Sequence, residues 1–236
     1  MSGAAILFAH RGARAHAPEN TLEAFLLGLE MGATGLESDV WLTADGVAVL
    51  DHDGVAQRRS YGPGGRKIAA VDRADLPAHI PTLAELYEAV GPDTPLSLDL
   101  KDPAALDAVL RDARAAGAAE NLWLCHPRWR DLAAWREETS DIHLVNSTFL
   151  GYMSSGPERR AKQLQAAGID VINLHRSEWT PGLVALFARH GLATLGWDAQ
   201  EPSTITELLE WGIDGVFSDH VDRMVEAAAA VALSAR

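Results

Sequence analysis

The sequence predicts an α/β fold closed into a (β/α)8 barrel. Three observations predict it. Short apolar runs alternate with amphipathic stretches eight times along 236 residues. That length suits one barrel of ~250 residues. Nearly every apolar run also ends in a polar or reactive side chain, and barrel enzymes keep their chemistry at the C-terminal ends of their strands.

The apolar runs, in order, are 6–9, 35–41, 96–100, 122–125, 142–145, 170–174, 193–197 and 215–217. Each is short enough for a strand, and alternation of such runs with helical patterns favours a parallel sheet. Between them, 21–31, 82–90, 103–116, 128–137, 157–167, 181–190 and 202–211 carry apolar residues at helical spacing. Pro103, Pro157, Pro181 and Pro202 open four of these helices, where a missing N–H is tolerated. Gly117, Gly168, Gly191 and Gly212 close the same four. An open doubly wound sheet is the competing arrangement. It usually carries a glycine-rich first turn, whereas the first strand here runs into His10-Arg11-Gly12-Ala13-Arg14. The whole chain, 1–236, is expected to be a single domain.

One stretch breaks the alternation. After the second strand an excursion runs over about 42–81, too long for an ordinary βα loop, so a short functional insertion is expected there. It starts with a hairpin signal at Ala44-Asp45-Gly46 and passes through Arg58-Arg59, Tyr61, a glycine-rich run and Arg66-Lys67. Its basic residues read equally as a solvated loop and as an attractor for an anionic substrate.

Composition narrows the function. Hydrophobic residues make up 47% and charged residues 22%, which is globular composition. The formal net charge of −13 argues against a general nucleic-acid binder, which needs clustered Lys and Arg. A single cysteine, Cys125, rules out an internal disulfide framework and suits a reducing compartment. Neither a membrane-spanning run nor a signal-peptide pattern is read, so a cytoplasmic location is expected.

The polar residues point to a site. By the two-residue period of a strand, Glu37, Asp39 and Trp41 share one face of the second strand. Ser97, Asp99 and Lys101 share one face of the third, with the leucines of that strand facing helices. Three carboxylates in a barrel mouth would be costly without a counter-ion. A hard divalent cation, Mg²⁺ or Ca²⁺, held by Glu37, Asp39 and Asp99 answers that cost, because all-oxygen donors suit those ions. The alternative is an ion network in which Arg11 and Lys101 pair the acids. His10 and His52, from separate segments, read as an acid–base pair. Glu19 is read as either an orienter of His10 or a helix cap, Asn20 as an N-cap, and His126 as a rim residue. Trp197 stands at the mouth, against substrate or in the core.

At these residues the sequence resembles the glycerophosphodiester phosphodiesterase family. The resemblance rests on His10-Arg11-Gly12, residues 18–25 (PENTLEAF), residues 35–40 (GLESDV), Asp45-Gly46, His52-Asp53, residues 80–86 (IPTLAEL), Leu98-Asp99-Leu100-Lys101, Trp197 and residues 212–219 (GIDGVFSD). It implies a TIM barrel that uses a divalent metal ion to hydrolyse glycerophosphodiesters, such as glycerophosphocholine, to sn-glycerol 3-phosphate and an alcohol. Carried over by position, it makes His10 and His52 the acid–base pair and Glu37, Asp39 and Asp99 the metal ligands. Arg11 and Lys101 become phosphate-binding cations. Two departures stand out: the family usually has Glu where this chain has Asp99, and Cys125-His126-Pro127 replaces a Ser-Phe-type motif. The readings held against it are a lysophospholipid or other lipid phosphodiesterase on the same barrel, which would show an apolar patch at the mouth, and a non-catalytic barrel that binds phosphate esters.

Overall fold

The computed structural model describes residues 4–56 and 65–234. Arg58, Arg59, Tyr61 and part of the glycine-rich run therefore lie outside the described residues. Eight parallel strands form the wall of a barrel: β1 (Ile6–His10), β2 (Gly35–Leu42), β6 (Leu96–Leu100), β7 (Leu122–His126), β8 (His143–Ser147), β9 (Val171–His175), β10 (Ala193–Trp197) and β11 (Gly215–Ser218). β1 pairs with both β11 and β2, which closes the sheet. Around it stand α1 (Leu22–Glu30), α2 (Leu83–Val90), α3 (Leu106–Ala115), α4 (Trp129–Trp135), α5 (Gly156–Ala166), α6 (Pro181–Arg189), α7 (Pro202–Glu210) and α8 (Val221–Ser234). The expected (β/α)8 barrel is the observed fold.

The strand period divides two apolar cores. Leu36, Val40, Leu98 and Leu100 face outward and join the helices in one large cluster. Phe8, Trp123, Cys125, Val145, Val171, Leu195 and Phe217 face inward and plug the barrel. Phe8 stacks on Phe217 with ring centroids 4.6 Å apart and meets Trp123 edge-on at 5.9 Å. This plug is a floor. Two residues beyond Phe8 and Leu195, the same inward faces carry His10 and Trp197, and Asp99 lies beside Cys125 on the neighbouring strand.

Local chemistry agrees with the elements. Thr82 and Glu85 form a reciprocal capping box at the start of α2. Gly117, Gly168, Gly191 and Gly212 all have positive φ just past their helices. The last helix runs to Ser234, anchored by buried Val221, Met224 and Ala227.

The excursion after β2 is ordered over its described parts. β3 (Ala48–Leu50) returns antiparallel along β2, giving the predicted hairpin. β4 (Val55–Ala56) pairs with β5 (Arg66–Lys67). Val49, Ala56, Ile68, Val71, Leu76 and Ile80 form a small core of their own beneath Trp41.

Candidate active site

Inward alternation delivers seven of the eight predicted site residues to one cleft at the C-terminal end of the barrel. His10, Arg11, Glu37, Asp39, Asp99, Lys101 and Trp197 all line it, and its volume is about 390 Å³. Register makes neighbours of distant residues: His10 lies beside Glu37 and Asp39 beside Asp99 across adjacent strands.

His10 is held at one ring nitrogen and faces a carboxylate with the other. Its Nδ1 is 2.6 Å from Asp219 Oδ1, and its Nε2 is 3.7 Å from Glu37 Oε2. Burial acts to lower its pKa, but the Glu37 charge and the Asp219 hydrogen bond outweigh burial and leave it above the ordinary histidine value. Asp219 is in turn fixed by Gln200, whose Oε1 accepts the Asp219 N–H at 2.9 Å. Burial alone would raise the Asp219 pKa; the His10 hydrogen bond and charge lower it below the usual carboxylate value.

Arg11 sits in the turn after β1 with φ of +52°, a sparsely populated conformation for a side-chain-bearing residue. Gly12 follows with φ of +76°, and a Cβ there would come within 2.6 Å of the Ala24 backbone. This turn aims the Arg11 N–H at Glu37 Oε2, 2.9 Å away. Glu19 grips the Arg11 guanidinium at 3.2 Å and Arg14 at 3.0 Å. Glu19 therefore orients Arg11, not His10, and it does not cap a helix. The cap of α1 is Thr21, whose hydroxyl accepts the Ala24 N–H. Asn20 is instead buried at positive φ and accepts the Ser38 hydroxyl at 2.7 Å, tying the start of α1 to β2.

The acids and cations interlock. Lys101 Nζ bridges Asp39 Oδ1 at 2.9 Å and Asp99 Oδ2 at 2.6 Å. Arg11 Nε is 3.4 Å from Asp39 Oδ2. Burial pushes the Glu37 carboxyl up to about 7, with Asp39 and Asp99 adding repulsion and His10 opposing. Burial acts to lower the Lys101 pKa, but Asp99 and Asp39 dominate and raise it.

The donor set fits a hard cation. Asp39 Oδ2 is buried with no hydrogen-bond partner, and burial, with the Asp39 and Asp99 charges adding, drives Glu37 towards protonation. Lys101 stands between Asp39 and Asp99. Among the described residues, the group of three His, Cys, Asp or Glu side chains whose ligand atoms fall within 4.8 Å of one another is His16, His220 and Asp222. The sequence reading did not foresee that cluster.

His52 is the predicted residue that the structure leaves outside the cleft lining. It is 39% exposed and its Nδ1 bonds to Asp53 at 2.8 Å. Its neighbour Asp51 donates its N–H to the Asp39 carbonyl, so the segment does reach the rim. His126 is buried rather than on the rim: it packs on Trp135 with centroids 5.0 Å apart, and burial lowers its pKa.

The opposite wall is aromatic. Trp197 meets Phe149 edge-on at 5.4 Å and His175 at 4.5 Å. Phe149 and Tyr152 are exposed at this rim, 40% and 73% respectively. Asn173 also lines the cleft, with Nδ2 bonded to Ser147 and Oδ1 buried without a partner. Asp219, Gln200 and Asn173 are among the polar lining groups that the sequence did not assign to the site. Asp219 and Asn173 had a signal, their places near the ends of their strands.

A closed barrel with acids, cations and a histidine gathered at the C-terminal ends of its strands has the arrangement of a barrel enzyme. The chain belongs to the glycerophosphoryl diester phosphodiesterase family, whose model matches residues 10–223. It is 24% identical over 250 residues to a glycerophosphodiester phosphodiesterase of Caldanaerobacter subterraneus, covering 93% of this chain and 96% of that protein. The crystal structure of glycerophosphodiester phosphodiesterase from Thermotoga maritima superposes with a TM-score of 0.79 at 26% identity, covering 96% of this chain and 99% of the other. An Oleispira antarctica phosphodiesterase, solved in complex with the product sn-glycerol-3-phosphate, shares the fold with a TM-score of 0.79 at 22% identity, covering 95% of this chain and 96% of that one. Among the described residues, no helix is long and apolar enough to cross a membrane.

Proposed function

We propose that the protein is a metal-dependent glycerophosphodiester phosphodiesterase that releases sn-glycerol 3-phosphate and an alcohol, by histidine acid–base catalysis. The carrying observation is the convergence of His10, Arg11, Glu37, Asp39, Asp99 and Lys101 on one cleft above an apolar floor. The product held by the Oleispira relative supports the glycerol phosphate half.

Glu37, Asp39 and Asp99 would hold the divalent cation, which when bound supplies positive charge to the phosphoryl oxygens. Arg11 and Lys101 add to that charge as it grows on the oxygens in the transition state. Asp219 holds the Nδ1 side of His10, leaving Nε2 to take the proton of the attacking hydroxyl, which belongs either to water or to the glycerol of the substrate. His52 is assigned the proton for the departing alcohol, from its place on the rim. Trp197 packs against the alcohol side. The chain acts as a single domain, in the cytoplasm.

One observation favours a second reading. Phe149 and Tyr152 expose aromatic surface beside Trp197, the apolar patch expected of an enzyme for lysophospholipid diesters. The test is glycerol 3-phosphate release from glycerophosphocholine by the purified protein and by His10→Ala. Release lost in the variant supports the proposal. Equal release by both, or none from any glycerophosphodiester by folded protein, overturns it; release only from lysophospholipids favours the second reading.

A further inference from the structure

A second cavity of about 280 Å³ opens beside the cleft, with Tyr152 in the lining of both. Arg130, Arg159 and Arg160 line it together with Ser154 and Ser155. Arg130 belongs to the first turn of α4, and Arg159 and Arg160 to the first turns of α5. In a (β/α)8 barrel the helices begin at the face where the strands end, so the cavity lies on the catalytic face.

The charge is uncompensated. In a chain of net charge −13, carboxylate partners are plentiful. Yet these three arginines pair with none among the described residues. Arg130 lies over the Trp129 ring at 4.9 Å. Arg160 donates to Asn146 Oδ1 at 3.0 Å and to the Tyr152 carbonyl at 3.3 Å, and its Nε is buried without a partner. The carboxylates nearest in sequence are committed elsewhere: Asp131 to Arg128 at 2.6 Å, and Glu158 to Lys162 at 3.2 Å. Burial, with the Arg130 charge adding, lowers the Arg160 pKa.

We propose that this cavity is an anion site for a phosphate-class group, separate from the phosphodiester that is cleaved. Guanidinium groups are forked donors suited to phosphate oxygens, and the two serine hydroxyls extend that donor set. Because Tyr152 joins the cavity to the alcohol side of the cleft, the group belongs either to a second anion on the alcohol of the substrate or to a separate phosphate-bearing molecule. The first source rests on the diester-hydrolase reading; the site itself does not.

Two measurements on the full chain separate these. The first is calorimetric titration of inorganic phosphate into wild type and Arg130→Ala/Arg159→Ala, both exposed positions that should leave the fold intact. The site predicts binding by wild type that weakens at least tenfold in the variant. The second is the ratio of kcat/KM for glycerophosphoinositol 4-phosphate over glycerophosphocholine. A ratio that falls at least tenfold in the variant assigns the site to the substrate. Weakened phosphate binding with an unchanged ratio assigns it to a separate phosphate-bearing molecule. Equal phosphate binding by both proteins, together with an unchanged ratio, overturns the proposal. If no diester is cleaved, the catalytic reading fails, and the phosphate titration alone then decides the site.

Discussion

Asp219→Asn removes the charge behind His10 and little else. Its Oδ1 lies 2.6 Å from His10 Nδ1, and its other oxygen is 3.7 Å from Arg14. Asparagine keeps the shape, and the Gln200 contact survives because it uses the backbone N–H of residue 219. A hydrogen bond to a charged group contributes roughly 1.5–3 kcal/mol. If the contact matters most when His10 carries the extra proton, kcat/KM should fall by roughly 10- to 150-fold. The sign of the pH effect follows from the same contact. Asp219 favours protonated His10, so its loss lowers the His10 pKa. A base must be unprotonated, so the acid-side limb of the kcat/KM profile should move to lower pH. The assay is glycerol 3-phosphate release from glycerophosphocholine across pH, with a thermal melt as the folding control. A folded variant with kcat/KM within twofold of wild type and an unmoved limb would refute the dyad.

Three other outcomes follow from the geometry. Gly12→Ala forces a Cβ into the Ala24 backbone at a positive φ, and strain of about 1–3 kcal/mol should lower both Tm and activity, read by melting and kinetics. Phe8→Ala empties the centre of the floor and should cost about 3–5 kcal/mol in urea unfolding, with a change under 1 kcal/mol contradicting the packing. Burial pushes the Cys125 thiol well up, so a thiol reagent should react slowly with native protein and fast only in denaturant; rapid native labelling would contradict that placement.

The barrel was legible in the sequence because its signals are local and repeat: strand runs, proline starts and glycine stops recur around one closed sheet. Inward alternation likewise placed Glu37, Asp39, Asp99 and Lys101 in the mouth. What escaped the sequence depends on closure or on competition between partners. Asp219 meets His10 only because β11 pairs with β1, 209 residues apart in sequence. Glu19 and Asn20 look like caps by position, but Thr21 takes that role and leaves them free for Arg11 and Ser38. His126 sits one residue past the inward face, so it packs under Trp135 instead of facing the cleft. The ion network offered as the alternative to a metal site is present: Lys101 bridges Asp39 and Asp99, and Arg11 lies against Asp39.

The central claim is that these carboxylates serve a divalent cation. The direct measurement is hydrolysis of glycerophosphocholine by protein stripped with EDTA, then supplied with Mg²⁺ or Ca²⁺, beside Asp39→Ala. The account predicts activity lost on stripping, restored by one of these ions, and not restored in the variant. Full activity in EDTA, with glycerol 3-phosphate still released, would contradict it.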